Sequence, residues 1–120
     1  MGGHSYGGRQ ASMLASEAPQ LADGLLLFSY PLHPPRKPNV LRTGHFPKLA
    51  TPTFFVHGTR DSFGTTAEMR SALELIPASH VLFEVHGVGH EILSKKAANE
   101  LPGQIVHEFR MFLRTLAQED

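Results

Sequence analysis

Three residues set far apart in the chain, Ser5, Asp61 and His90, have the types and the order that a proton-relayed nucleophilic reaction needs. A serine hydroxyl is a poor nucleophile near neutral pH and must lose its proton to a base as it attacks. Histidine, with an unperturbed pKa of ~6.5, can accept that proton and later return it. A carboxylate on the other ring nitrogen fixes the tautomer and stabilises the imidazolium. Ser5 lies in Gly3-His4-Ser5-Tyr6-Gly7, which fits G-x-S-x-G. That pattern marks a sharp turn from strand to helix with the serine at its tip. The expected reason for the two glycines is steric: a β-carbon at either would collide with neighbouring backbone. The first amides of the following helix then point at the reacting oxygen, the backbone amide of Tyr6 among them.

Each residue also has a plainer reading. Ser5 is a small residue in a glycine-rich turn, and Asp61 is a type common in turns. His86 competes with His90 four positions later, but Gly87 and Gly89 argue against the helix that a zinc-binding pair at this spacing would need, and no Glu stands in second place. The eight histidines are scattered without ligand spacing, so no metal site is expected. His4 and His57 read as structural or supporting. Glu84 falls within a strand and Glu91 directly follows His90, so neither rivals Asp61. No phosphate loop is present, since neither Gly2-Gly3 nor Gly7-Gly8 leads into Lys-Ser or Lys-Thr.

The elements that must position these side chains are legible from pattern. Residues Tyr6 to Glu17 read as a helix with small residues at its start, and Pro19 ends it. Leu25 to Tyr30 is a near-continuous apolar run between Gly24 and Pro31, as for a strand covered on both faces. Thr53 to His57 is a second strand, with Gly58 opening the turn that carries Asp61. Thr65 and Glu68 form a T-x-x-E capping box at the start of a helix that buries Met69, Ala72, Leu73 and Ile76 and stops at Pro77. Val81, Phe83 and Val85 alternate with Leu82 and Glu84 in a less buried strand, and the loop Gly87-Val88-Gly89-His90 follows. Ile105, Val106, Phe109, Phe112, Leu113 and Leu116 recur at helical spacing on a closing helix. Strands alternating with helices predict an α/β layered fold with parallel strands and flanking helices. In such sheets, loops beyond the carboxyl ends of the strands share one rim, where residues distant in sequence meet.

Between Pro31 and Pro52 lie six of the nine prolines, in a long loop without period. From Gly24 to Arg60 there is no acidic residue, while Arg36, Lys37, Arg42 and Lys48 are basic. A solvated surface loop is the plain expectation. The sharper one is a flap favouring anionic or polar substrates, in which case Arg36 and Lys37 reversed to glutamate would change substrate preference.

Bulk properties narrow the classes. The 120 residues fit a single domain, 1–120, and eleven basic residues balance eleven acidic ones, so nucleic acid is not the expected partner. Without cysteine there is no disulfide, thiolate metal site or thiol nucleophile. No apolar run approaches the ~20 residues of a membrane span, and no signal-peptide layout opens the chain. A soluble, cytoplasmic protein is the default expectation.

Taken together, Gly-His-Ser-Tyr-Gly-Gly, Phe-Val-His-Gly-Thr-Arg-Asp and Gly-Val-Gly-His resemble the α/β-hydrolase superfamily. The stretch Leu27-Phe28-Ser29-Tyr30-Pro31-Leu32-His33-Pro34-Pro35 is similar to its dienelactone-hydrolase-like group. The resemblance runs through essentially the whole chain. It implies a serine hydrolase acting on an ester or related acyl bond of a small-molecule substrate, with Ser5 as nucleophile, Asp61 as acid, His90 as base and no cofactor. It also implies a departure, because only Met1 and Gly2 precede the serine motif. The chain resembles the C-terminal half of that fold, with the central nucleophile strand and the loop giving a second oxyanion amide largely missing. The expectation is a partial domain with an open sheet edge, covered by self-association, a partner chain or upstream sequence, and poorly soluble or inactive by itself. The alternative function is a non-catalytic, hydrolase-like protein-interaction domain.

Overall fold

Among the described residues, four short strands form one all-parallel sheet in chain order, β1 (Gly2–His4), β2 (Leu25–Phe28), β3 (Thr53–Gly58) and β4 (His80–Val85). They are joined and covered by α1 (Tyr6–Glu17), α2 (Thr66–Leu73) and α3 (Leu101–Ala117). The structure is a computed structural model and describes residues 1–92 and 101–118. Among these, no helix is long and apolar enough to cross a membrane.

The alternation of side chains along β2, β3 and β4 sorts the core into two layers. Leu25, Leu27 and Phe55 face α1, α2 and the 31–52 loop, where Ala15, Met69, Ala72, Leu73 and Ile76 join them. Phe54 and Val56 face the other way, with Val81, Phe83 and Val85, onto Ile105, Phe109 and Phe112 of α3. All six residues of β3 are buried, as a central strand covered on both faces requires, whereas all six of β4 are half-buried. The capping box forms as the sequence indicates: Thr65 Oγ1 accepts from the Glu68 amide at 3.1 Å, and Glu68 Oε1 accepts from the Thr65 amide at 2.9 Å.

Several features differ from the pattern reading. Gly2–His4 forms a three-residue strand on β2, with Gly2 opposite Leu26 and His4 opposite Phe28. Two glycines conceal it, being poor strand formers. β2 stops at Phe28, because Ser29 turns out of the strand at φ 53°. α2 ends at Leu73, four residues before Pro77, yet Ile76 is still buried. On α3, Val106 is 45% exposed and lies off the apolar stripe.

The 31–52 loop is more than a solvated connection. Its ends are core: Leu32, Phe46 and Leu49 are fully buried, and the Tyr30 hydroxyl donates to the Arg42 carbonyl at 2.7 Å. Its middle, residues 35–41, forms the longest exposed run. It binds α1 through Ser12 and His45, whose Oγ and Nε2 are 2.7 Å apart, and α2 through His33 and Glu68, whose Nε2 and Oε1 are 3.0 Å apart.

Candidate functional site

Ser5 follows β1 directly and caps α1, at φ 54° and ψ −121°. For a residue with a β-carbon this is strained backbone, of the kind that costs about 1–3 kcal/mol and persists only where surrounding structure imposes it. Here the imposition is by hydrogen bonds: the Ser5 amide donates to the Phe28 carbonyl at 2.8 Å, and its own carbonyl accepts from the Arg9 amide at 3.0 Å. The steric expectation for the glycines needs one correction. A β-carbon on Gly3 would come within 2.5 Å of the Gly7 carbonyl carbon and the Gly8 nitrogen, but one on Gly7 would meet nothing within 4 Å. Gly8 is the second tight position, at 3.1 Å from the Gly3 oxygen. The turn closes by strand backbone pressing on the helix, and Gly7 faces outward.

Asp61 sits in the turn after β3, and His90 in the loop after β4. These two segments are bound together by a backbone pair and a side chain: the Arg60 amide donates to the Val88 carbonyl at 2.9 Å, and the Gly87 amide to Thr59 Oγ1 at 2.9 Å. Gly58 permits this approach, since a β-carbon there would run into the Val88 carbonyl oxygen. Gly87 itself is at φ 79°, the left-handed region where glycine carries no steric penalty.

The loops bring the three side chains into one line. Ser5 Oγ is 2.6 Å from His90 Nε2, and His90 Nδ1 is 2.9 Å from Asp61 Oδ2 and 3.1 Å from Oδ1. A carboxylate can only accept, so Nδ1 carries the proton and Nε2 is left as the acceptor for the serine hydroxyl. The Asp61 side chain is fully buried and that of His90 is 15% exposed. The Phe63 amide donates to Asp61 Oδ1 at 2.8 Å, and His57 Nε2 lies 3.9 Å from Oδ2. The Tyr6 amide belongs to the first helical turn, whose amides have no intrahelical acceptor.

The residues set aside in the sequence are placed too. His57 is fully buried and donates from Nε2 to the Gly64 carbonyl at 2.6 Å, while its Nδ1 has no partner among the described residues. His4 donates from Nε2 to the His90 carbonyl at 3.1 Å, tying β1 to the histidine loop. His86 is exposed, and Glu84 is taken by Arg70 at 2.6 Å on the surface. Arg36 and Lys37 make no side-chain hydrogen bond or ion pair among the described residues, and both are exposed. Arg42, by contrast, lies over the neighbour of Ser5, its guanidinium 5.2 Å from the Tyr6 ring centroid. No spacing rule singles out Arg42 or Phe63; each matters through the fold of its loop. A cavity of about 300 Å³ opens between residues 38–43 and α2, with Glu68 in its wall and none of Ser5, Asp61 or His90 lining it.

Comparison with known proteins agrees with the fold. The family model described as an alpha/beta hydrolase domain matches residues 1–113. Among solved structures, a predicted CIB-like hydrolase from Thermoplasma acidophilum is similar over 88% of this chain and 48% of its own, at 22% identity and a TM-score of 0.64. A dienelactone hydrolase from Anabaena variabilis matches over 92% of this chain and 47% of its own, at 22% identity and 0.65. A monoacylglycerol lipase from Paleococcus ferrophilus matches over 94% and 67%, at 14% identity and 0.71. The chain thus spans about half the length of the first two.

Proposed function

The chain belongs to the alpha/beta hydrolase family, and on that premise we propose that it hydrolyses an ester or related acyl bond of a small molecule, with Ser5 as nucleophile, His90 as base and Asp61 as the acid behind it. The observation that carries this reading is the unbroken relay from Ser5 Oγ through His90 to the buried carboxylate of Asp61. In the reaction, Ser5 Oγ attacks the carbonyl carbon as its proton passes to His90 Nε2. Asp61 stabilises the imidazolium, and the Tyr6 amide donates to the oxyanion of the tetrahedral intermediate. Collapse of that intermediate breaks the bond to the leaving group, which takes the proton from His90, and leaves an acyl group on Ser5. Water, deprotonated by His90, then attacks the acyl-enzyme, releases the acid and restores the serine. No step calls for a metal or organic cofactor.

Specificity in this scheme falls to Arg42. It stands beside the helix turn that receives the oxyanion, in a stretch free of acidic residues, and favours substrates with an anionic group.

The test is covalent labelling of the full-length protein by a fluorophosphonate, together with turnover of a p-nitrophenyl ester. Both are expected, and Ser5→Ala should abolish labelling and lower turnover by at least about 10³-fold. A folded full-length protein that neither labels nor turns over would refute the enzyme. A second reading, a hydrolase-like interaction domain, draws on a specific observation: β1 pairs only with β2 among the described residues, leaving a backbone edge that further chain or a partner could join. In that reading the edge is the working surface, and the unlabelled protein would still capture its partner there.

A further inference from the structure

The turn that delivers Asp61 also delivers a residue that the scheme above leaves without a part, Phe63. Its amide donates to Asp61 Oδ1 at 2.8 Å, and its ring lies on the His90 imidazole, with centroids 4.1 Å apart and planes inclined by 30°. The backbone beneath the ring is held on both sides. The Phe63 carbonyl accepts from the His33 amide at 2.9 Å, and the next carbonyl, of Gly64, accepts from His57 Nε2 at 2.6 Å. One residue therefore touches the acid with its amide and the base with its ring.

We propose that Phe63 is a positioning residue for the reaction: it fixes the plane of the His90 ring, keeping Nε2 on Ser5 and Nδ1 on Asp61, and offers its π face to the imidazolium formed when Ser5 gives up its proton. The inference rests on the hydrolytic reading. Two physical effects carry it. The torsion that turns an imidazole about its own axis has a broad, weakly defined minimum, so ring orientation is set by hydrogen bonds and stacking. A cation within ~6 Å of an aromatic centroid is drawn to the ring face. The other ionisable groups around His90 do not supply this. Asp61 meets the ring edge at Nδ1, and His57 faces Asp61. His4 bonds the His90 carbonyl with its ring centroid 5.6 Å away, Arg60 engages the loop only through its amide, and Glu91 is exposed.

The test compares Phe63→Leu and Phe63→Tyr in the full-length protein, with p-nitrophenyl acetate as probe and the thermal midpoint followed in parallel. Leucine still excludes water but has no π face; tyrosine keeps both. Phe63→Leu should lower kcat about tenfold with KM unchanged and move the acidic limb of the kcat/KM profile to lower pH by about half a unit. Phe63→Tyr should restore both. Wild-type kcat and an unmoved limb in Phe63→Leu would overturn the proposal. If Phe63→Leu loses its cooperative melt, Phe63→Met answers the same question by the same readouts. A wild-type protein inert toward the ester would overturn the hydrolytic reading instead. Proton resonance of the His90 Cε1–H then decides the contact: it should be shielded by the Phe63 ring and lose that shielding in the leucine variant. An unshifted resonance would overturn the stacking on which the proposal stands.

Discussion

The two arms of the candidate site are built to different standards. Asp61 and His90 extend from β3 and β4, six-residue strands paired to each other along their length, and β3 is buried throughout. Ser5 extends from β1, three residues paired only with β2 among the described residues. The acid–base arm is therefore fixed by core packing. The serine arm is fixed by a local device: a strained residue, two close-packed glycines and the hydrogen bonds to Phe28 and Arg9. The 31–52 loop spans the two, with His33 on α2 and His45 on α1. The placement of a reactive side chain can thus be encoded locally while its rigidity depends on how many neighbouring strands hold it.

Two glycine substitutions test this contrast most strongly. Gly58→Ala drives a β-carbon into the Val88 carbonyl within the rigid arm, where neither backbone can give way. It should cost about 3 kcal/mol in urea unfolding. Gly3→Ala makes a clash of similar closeness, but β1 can shift outward to relieve it. It should cost about 1 kcal/mol and yet lower fluorophosphonate labelling of Ser5 more than about tenfold. Equal stability losses in the two variants would break the distinction between the arms.

A smaller effect is expected where the loop meets the serine arm. Arg42→Glu reverses the charge above Tyr6, and the ratio of kcat/KM for a carboxylate-bearing ester to that for its neutral methyl ester should fall roughly tenfold. An unchanged ratio would remove Arg42 from substrate selection.

The smallest is a pH effect where the same loop meets the acid–base arm. Burial alone would lower the pKa of His33, but hydrogen bonds to the Pro34 carbonyl and to Glu68 outweigh it, and the net shift is upward from 6.5. Glu68 is shifted downward from 4.5, first by the Thr65 amide and then by His33. A raised histidine contributes stability that is complete below its unfolded value and fades as pH rises through its folded one. The lowered carboxylate contributes above 4.5 and fades as pH falls through its folded value. The His33–Glu68 contact is accordingly strongest between pH 4.5 and 6.5. The gap in urea midpoint between wild type and His33→Asn should be widest there and narrow toward alkaline pH. A gap of constant size would show that His33 acts through packing alone.

Much of the architecture is written in short-range pattern. The bounds of α1, the capping box of α2 and the first residues of β2 and β3 coincide with what proline, threonine and apolar runs announce. The order of Ser5, Asp61 and His90 is likewise readable, and the three lie in hydrogen-bonding reach. What pattern does not convey depends on long-range contact. A strand made of Gly2, Gly3 and His4 exists because β2 offers it a partner. The loop ends are buried because Tyr30, Phe46 and Phe55 pack their rings at one point. Gly8 is needed, and Gly7 is not, because of how closely the helix sits on β1.

The burial of Tyr30 has an optical consequence. The chain contains no tryptophan and two tyrosines, so the tyrosine band of its near-ultraviolet signal has two sources. Tyr6 is 56% exposed beside Ser5, and Tyr30 is fully enclosed, with burial pushing its hydroxyl up to about 12. A dichroic band from Tyr30 reports whether the loop is seated on the core, and quenching at Tyr6 reports what lies next to Arg42. Phenolate absorbance from Tyr30 below that pH would mark release of the loop, without any label attached to the protein.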